Sequence, residues 1–269
     1  MYCSGVRFNQ GRKLSFTRFR GLGRFASAFM ILSVLILPSS CGNKQKQEPF
    51  SSACNLHEDQ RATLSGRWSA TPVPMAVHTS DFSAGEAGEI LAAIQTWNDF
   101  FSTSKGIVLF YGGRNNQMAE DPDQPPSVQC SQPIISGATY SNSIIIYKIR
   151  SGWHSNLPNV AALTTYCPVA NGVLPAYKWA MMEMNFQNFW VANRNPDLQS
   201  VVLHELGHVL GVDHSCDGAK QGFPGCDGAS SEYSDAVMAP TINANGDQKR
   251  DLKINDQDRA NCLYGEGAF

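Results

Sequence analysis

The sequence predicts an α+β fold in which helices cover one face of a mixed sheet, and three observations carry that prediction. Several short runs rich in β-branched and aromatic residues occupy the middle of the chain, at 107–111 (IVLFY), 143–149 (SIIIYKI) and 161–166 (AALTTY). One helical periodicity precedes them at 86–101 and a second follows them, ending at Gly211. A loop and a short final helix close the order strand, helix, strands, helix, loop, helix, which suits one α+β domain rather than alternating parallel units.

The first 40 residues read as a targeting segment. Residues 1–24 carry six cations and no acid, and 25–37 (FASAFMILSVLIL) are apolar and uncharged. As a helix that run spans about 20 Å, short of a bilayer core of about 30 Å, so it reads as a secretory signal and not as a membrane span. The residues that follow, Pro38-Ser39-Ser40-Cys41-Gly42, resemble a bacterial lipoprotein lipobox. Pro38 stands where such boxes carry Leu, with Leu37 one place early. The resemblance implies cleavage before Cys41, lipid on that cysteine, and, from Gly42 in place of Asp, the outer membrane. An ordinary signal peptide, with Cys41 a bystander and the protein secreted, is the alternative.

From residue 41 onward the net charge is −8, and mean hydropathy over the chain is −0.24. An acidic body without a basic cluster excludes nucleic acid as a partner, and the composition excludes a multi-span membrane protein and a disordered one. After the leader and Cys41, six cysteines remain in an exported chain, which reads as three disulfides. Cys216 and Cys226 bracket a Gly-rich loop and are expected to join. Cys54 with Cys262 and Cys130 with Cys167 are the guesses for the rest.

In chain order, 41–65 form a tether and N-terminal segment, and 66–269 the folded domain. The stretch 68–77 (WSATPVPMAV) holds two prolines and is expected at a sheet edge or as an irregular entry. Ile90, Ile94, Trp97 and Phe101 form the apolar stripe of the helix at 86–101. Residues 112–131 are a long polar loop, and 179–186 (WAMMEMNF) a further strand. A short helix is expected near the end of the chain, with Asn255 as its cap and Asp258 in its first turn.

Residues 204–214 read His-Glu-Leu-Gly-His-Val-Leu-Gly-Val-Asp-His. His204 and His208 stand four apart, about 400° around a helix, so both imidazoles leave one face a turn apart. Asn195 is the expected cap of this helix, Pro196 its first residue, and Asp197 complements its dipole. Glu205 points about 100° from His204, which sets it beside a water rather than on the same ion. Gly211 ends the helix in a left-handed conformation, and the turn brings back His214 as third ligand. Three histidines leave the fourth position of a tetrahedral zinc open, the mark of a catalytic site. Average residue usage yields a bare HExxH in roughly one chain in a hundred of this size, and Gly211 with His214 lower that by roughly a few hundredfold. Two satisfied core histidines are therefore a poor alternative.

This run resembles the zinc motif of the metzincin metalloproteases. Residues 234–240 (SDAVMAP) resemble their Met-turn, which implies that Met238 forms an apolar floor under the ligands without binding the ion. Ser215 after the third histidine, and the ending Leu263-Tyr264-Gly265, resemble the matrixin subfamily. The resemblance implies a zinc endopeptidase with a metzincin-type twisted sheet, ligands His204, His208 and His214, and Glu205 as general base. It implies one zinc ion and a peptide or protein substrate held in extended form along 161–166.

The chain departs from matrixins in several places. It lacks their inhibitory cysteine propeptide and the spacing of their second zinc site, since His57, His78 and His154 are scattered. Ile242 stands where they carry Tyr. An acidic loop (Glu120, Asp121, Asp123) is the candidate for calcium, and a solvated loop explains it as well. A monomer is expected. The competing readings are an exported zinc-binding protein without protease activity and a metzincin of another subfamily.

Overall fold

The β-rich runs pair into one mixed sheet with the long helices on a single face. In the computed structural model the described residues are 2–4, 54–77, 81–111, 134–135, 138–139, 144–169, 174–217, 225–242 and 248–265. Cys41, the tether 42–53, and the loop 112–131 with Cys130 and its acidic residues lie outside them, as do His78 and 243–247.

The strands are β1 (Tyr2–Ser4), β2 (Arg67–Trp68), β3 (Val73–Val77), β4 (Phe110–Tyr111), β5 (Ile134–Ile135), β6 (Ala138–Thr139), β7 (Ile144–Ile149), β8 (Ala162–Val169) and β9 (Ala176–Asn185). The helices are α1 (Glu58–Arg61), α2 (Ala84–Lys105), α3 (Leu198–Leu210), α4 (Ser231–Ser234) and α5 (Ile254–Leu263). The main sheet runs β1-β8-β9-β7-β3-β4, with β2 also on β9 and β5-β6 a separate pair. β3, β4, β7 and β9 are parallel, and β8 turns back antiparallel on β9. The backbone of Tyr2–Ser4 pairs antiparallel with the other side of β8, Ser4 opposite Thr164 and Tyr2 opposite Tyr166.

β7 explains its unbroken apolar run by being covered on both faces. Ile144 and Ile146 face the helices together with Met182 and Met184. Ile145, Tyr147 and Ile149 face a second cluster with Trp153, Val160 and Trp179. On the helical side α2 packs on α3 through Ile90, Ala93, Ile94, Trp97 and Phe101.

Several boundaries differ from the sequence expectation. β3 is an inner strand, not an edge. Its two neighbours divide it: β4 pairs Val73 and Pro74, and β7 pairs Met75 to Val77, so the proline, which lacks an N–H, sits where β7 offers no partner. α2 is longer than 86–101, because Ser83 and Glu86 form a capping box and Gly106 closes the other end at φ 69°. α3 is capped by Asp197, not Asn195, and Pro196 lies outside it. The Asp197 carboxylate accepts the Ser200 N–H and is gripped by Arg250, a stronger restraint than a neutral amide. α5 begins at Ile254, so Asn255 is inside the helix and buried, and Asp258 is exposed.

Residues 54–65 pack into the same body. Leu64 joins the core and Cys54 is bonded to Cys262 of α5. Cys216 is bonded to Cys226, and Cys167 is disulfide-bonded as well.

Every carbonyl orphaned at the end of α3 has a partner. Gly207 O accepts from Val212 N and His208 O from Gly211 N. Val209 O accepts from the Trp68 indole at 2.9 Å, and Leu210 O from the Tyr264 hydroxyl at 2.8 Å. This tight ending needs Gly211, at φ 96°, where an added Cβ would stand 1.8 Å from Gly66 O. Gly211→Ala is therefore expected to lower the unfolding free energy by about 3 kcal/mol or more, measured by urea denaturation of the metal-free protein.

Candidate metal centre

Among the described residues one group of side chains is arranged to hold a metal ion: His204, His208 and His214, whose ligand atoms all lie within 4.8 Å of one another. α3 supplies the first two. Its residues from Val201 to Leu210 are all buried, so the helix is fixed on every side. His214 arrives from the turn after Gly211 and is partly open to solvent.

The protonation pattern of the first two ligands can be deduced. His204 Nδ1 lies 2.8 Å from Val237 O, and His208 Nδ1 lies 3.0 Å from Val212 O. A carbonyl only accepts, so each Nδ1 carries a hydrogen, and in the neutral ring Nε2 then presents a lone pair. The two Nε2 atoms face each other 3.0 Å apart. Burial, reinforced by His214, pushes His204 well below the ordinary histidine range, so the ring is neutral. Two facing lone pairs repel unless a cation stands with them. Nitrogens sharing one tetrahedral zinc at about 2.0–2.1 Å each are about 3.3 Å apart, so the set fits that ion.

The backbone around the ligands is clamped from both ends of the chain. Residues 63–65 run beside 211–213: Ser65 N donates to Gly211 O, Asp213 N to Thr63 O, and Leu64 bridges Val212. Beyond His214, Ser215 N donates to Met238 O, and the buried Gln60 amide to Ser215 O. From α5, Arg259 Nη1 donates to Asp213 O at 2.8 Å and to Thr63 Oγ1 at 3.2 Å. Asp256 takes the Met-turn: its oxygens accept from Val237 N at 2.9 Å and Met238 N at 3.1 Å, and from Lys253 N at the start of α5. Arg259 and Asp256 are fully buried and 3.6 Å apart. Burial brings the guanidinium down to about 10, with Asp256 and Asp213 opposing the fall, so it stays charged at neutral pH.

Met238 is completely buried and lies against α3 at Gly207. A Cβ at Gly207 would stand 2.1 Å from its sulfur, so the glycine between the two helical ligands is what lets the Met-turn approach. Ile242 is buried beside this turn. Glu205 is also wholly buried, and the Thr164 hydroxyl of β8 donates to its Oε2 at 2.6 Å.

The structure thus brings together His204, His208 and His214, with Glu205 and Met238 beside them. It holds the Cys216–Cys226 bond just beyond His214. His57 and His154 stand elsewhere, the latter 3.2 Å from Glu183. Burial raises the Glu183 carboxyl above its ordinary range, with His154 opposing. Sequence reasoning missed Thr164, Asp256, Arg259 and the segment 60–65. For Asp256 and Arg259 the signal was present as opposite charges three apart on a short helix.

A family model described as metallo-peptidase family M12 (Reprolysin_5) matches residues 75–249, a span that contains the three histidines and the Met-turn. Among solved structures the chain is similar to high choriolytic enzyme 1, a hatching-enzyme zinc protease from Oryzias latipes (medaka fish). Identity is 14%, the TM-score 0.34, and the match covers 76% of this chain and 94% of that one. No curated protein matches.

The buried pair on α5 generates a direct expectation. Asp256→Ala leaves Arg259 charged and buried without its partner, and is expected to cost about 3–5 kcal/mol of stability and to weaken zinc retention. Removing both charges, with Asp256→Ala and Arg259→Met, should recover part of the stability but not the grip on the Met-turn. Urea unfolding of the metal-free proteins, together with zinc titration, separates the two; equal losses in the single and double variants would contradict the pairing.

Proposed function

The chain belongs to metallo-peptidase family M12 and is a metzincin-type zinc metalloprotease, and on that premise we propose that it is an endopeptidase with His204, His208 and His214 as metal ligands and Glu205 as general base. The observation that carries the reading is the convergence of three imidazoles, two of them fixed by backbone carbonyls in the tautomer that leaves Nε2 to a metal. Zinc bound there supplies Lewis acidity, polarising the substrate carbonyl and easing deprotonation of water.

The residues of the chain do the rest. Glu205 follows His204 directly but leaves the helix in another direction, so its carboxylate takes the proton of the attacking water and delivers it to the departing amine. Its burial excludes bulk water from that transfer. β8 offers its outer edge to an extended peptide, and the backbone of Tyr2–Ser4 illustrates such pairing, running antiparallel with Cys3 opposite Thr165. Main-chain pairing gives affinity with little sequence choice, so side-chain preference falls to the apolar surroundings of Ile242. The matrixin resemblance rests on Ser215 and on Leu263-Tyr264-Gly265, the latter outside the family match, and we read these as matrixin-like features on an M12 chain.

The decisive variant is Glu205→Ala. It is expected to lower kcat on casein or a quenched peptide by about a hundredfold or more while zinc stays bound one to one, because Glu205 handles protons and does not hold the metal. Retention of more than a few per cent of activity would remove it from the base role. Chelation should abolish activity, and added zinc should restore it.

We further propose that the protein is exported and held at a membrane through Cys41, acting as a monomer. This rests on the sequence of 1–42. Cys41→Ala should release the protein from the membrane fraction or leave an unprocessed precursor, as fractionation and mass spectrometry would record; a wild-type protein found wholly soluble after export would refute the anchor.

A further inference from the structure

A side-chain hydrogen bond that the zinc motif does not account for joins the base to the substrate-facing strand. Thr164 lies within β8, its backbone paired with Met182 of β9 on one side and with Ser4 on the other. Its hydroxyl reaches Glu205 Oε2 at 2.6 Å, with the backbone oxygen of the same glutamate at 3.5 Å. Both residues are completely buried. A hydroxyl this close to a carboxylate makes a short, charge-assisted bond, roughly twice as strong as a neutral one.

A glutamate side chain turns about three single bonds, and proton transfer demands that its carboxylate stay within hydrogen-bond reach of the water it serves. α3 fixes the Cα of Glu205 but not the plane of the carboxylate. The Thr164 hydroxyl restrains one oxygen, and hence that plane, from a strand whose backbone is fixed along β9. We propose that Thr164 is a positioning residue for the general base, locking the Glu205 carboxylate in its working orientation from the strand on which the peptide lies. The inference rests on Glu205 acting as general base.

Thr164→Val keeps the branched shape and removes the hydroxyl, whereas Thr164→Ser keeps the hydroxyl and removes the methyl. With zinc bound one to one, Thr164→Val is expected to lower kcat roughly ten- to a hundredfold with KM within about twofold, and Thr164→Ser to restore most of it. A role in packing alone would give the opposite order, since valine fills the space better than serine. A second readout needs neither metal nor turnover. In the zinc-free protein, Thr164→Val should lower the unfolding midpoint when Glu205 is present and leave it unchanged in a Glu205→Leu background. Wild-type kcat in Thr164→Val, or equal midpoint shifts in both backgrounds, overturns the proposal. Should the valine variant fail to fold, Thr164→Ala is compared with Thr164→Ser in the same way. If zinc-loaded wild type cleaves no peptide at all, the protease reading falls and takes this one with it, an outcome recognised in the wild type before any variant is measured.

Discussion

The geometry of the metal centre depends on the buried ion pair between Asp256 and Arg259. Both act on the ligands through backbone groups. Asp256 accepts the backbone N–H groups of Val237 and Met238, and Val237 in turn presents the carbonyl that orients His204. Arg259 donates to the carbonyl of Asp213, the residue before His214. One turn of α5 therefore sets both the tautomer of the first ligand and the position of the third. Burying two charges carries a desolvation cost that their attraction scarcely offsets. What the pair contributes is geometry: each charge is directed at peptide groups whose placement decides whether three imidazoles meet.

The second ligand is governed by the same logic from the other end of the chain. His208 donates to Val212 O, and Val212 is bridged to Leu64. Around α3, indole and phenol donors from Trp68 and Tyr264 complete the helix end, so the helix cannot slide without abandoning buried carbonyls. The centre is thus rigid where it meets the metal.

What could be read from the sequence was whatever is local. The ligand spacing, the turn at Gly211 and the strands β7, β8 and β9 are encoded within a few residues of themselves, and all appear where their patterns placed them, with ends shifted. The long-range pairings were opaque. Asp256 resembles any acid in a first helical turn, and Asn255 was the better cap by local rules; only the arrival of the Met-turn 18 residues upstream makes Asp256 the working carboxylate. Pro74 signalled an edge, and the signal was half right, since each neighbour covers only part of β3. Thr164 carried no signal, because its partner lies 41 residues away on another element.

The clamp has a temporal side. Thr63 and Gln60 stand near the start of the folded body and Arg259 near its end, and the Cys54–Cys262 bond closes the same junction across a separation of 208 residues. A ribosome releases the histidine helix well before it releases the helix that arranges it. The backbone clamp on the third ligand is therefore complete only when both ends of the folded body are present.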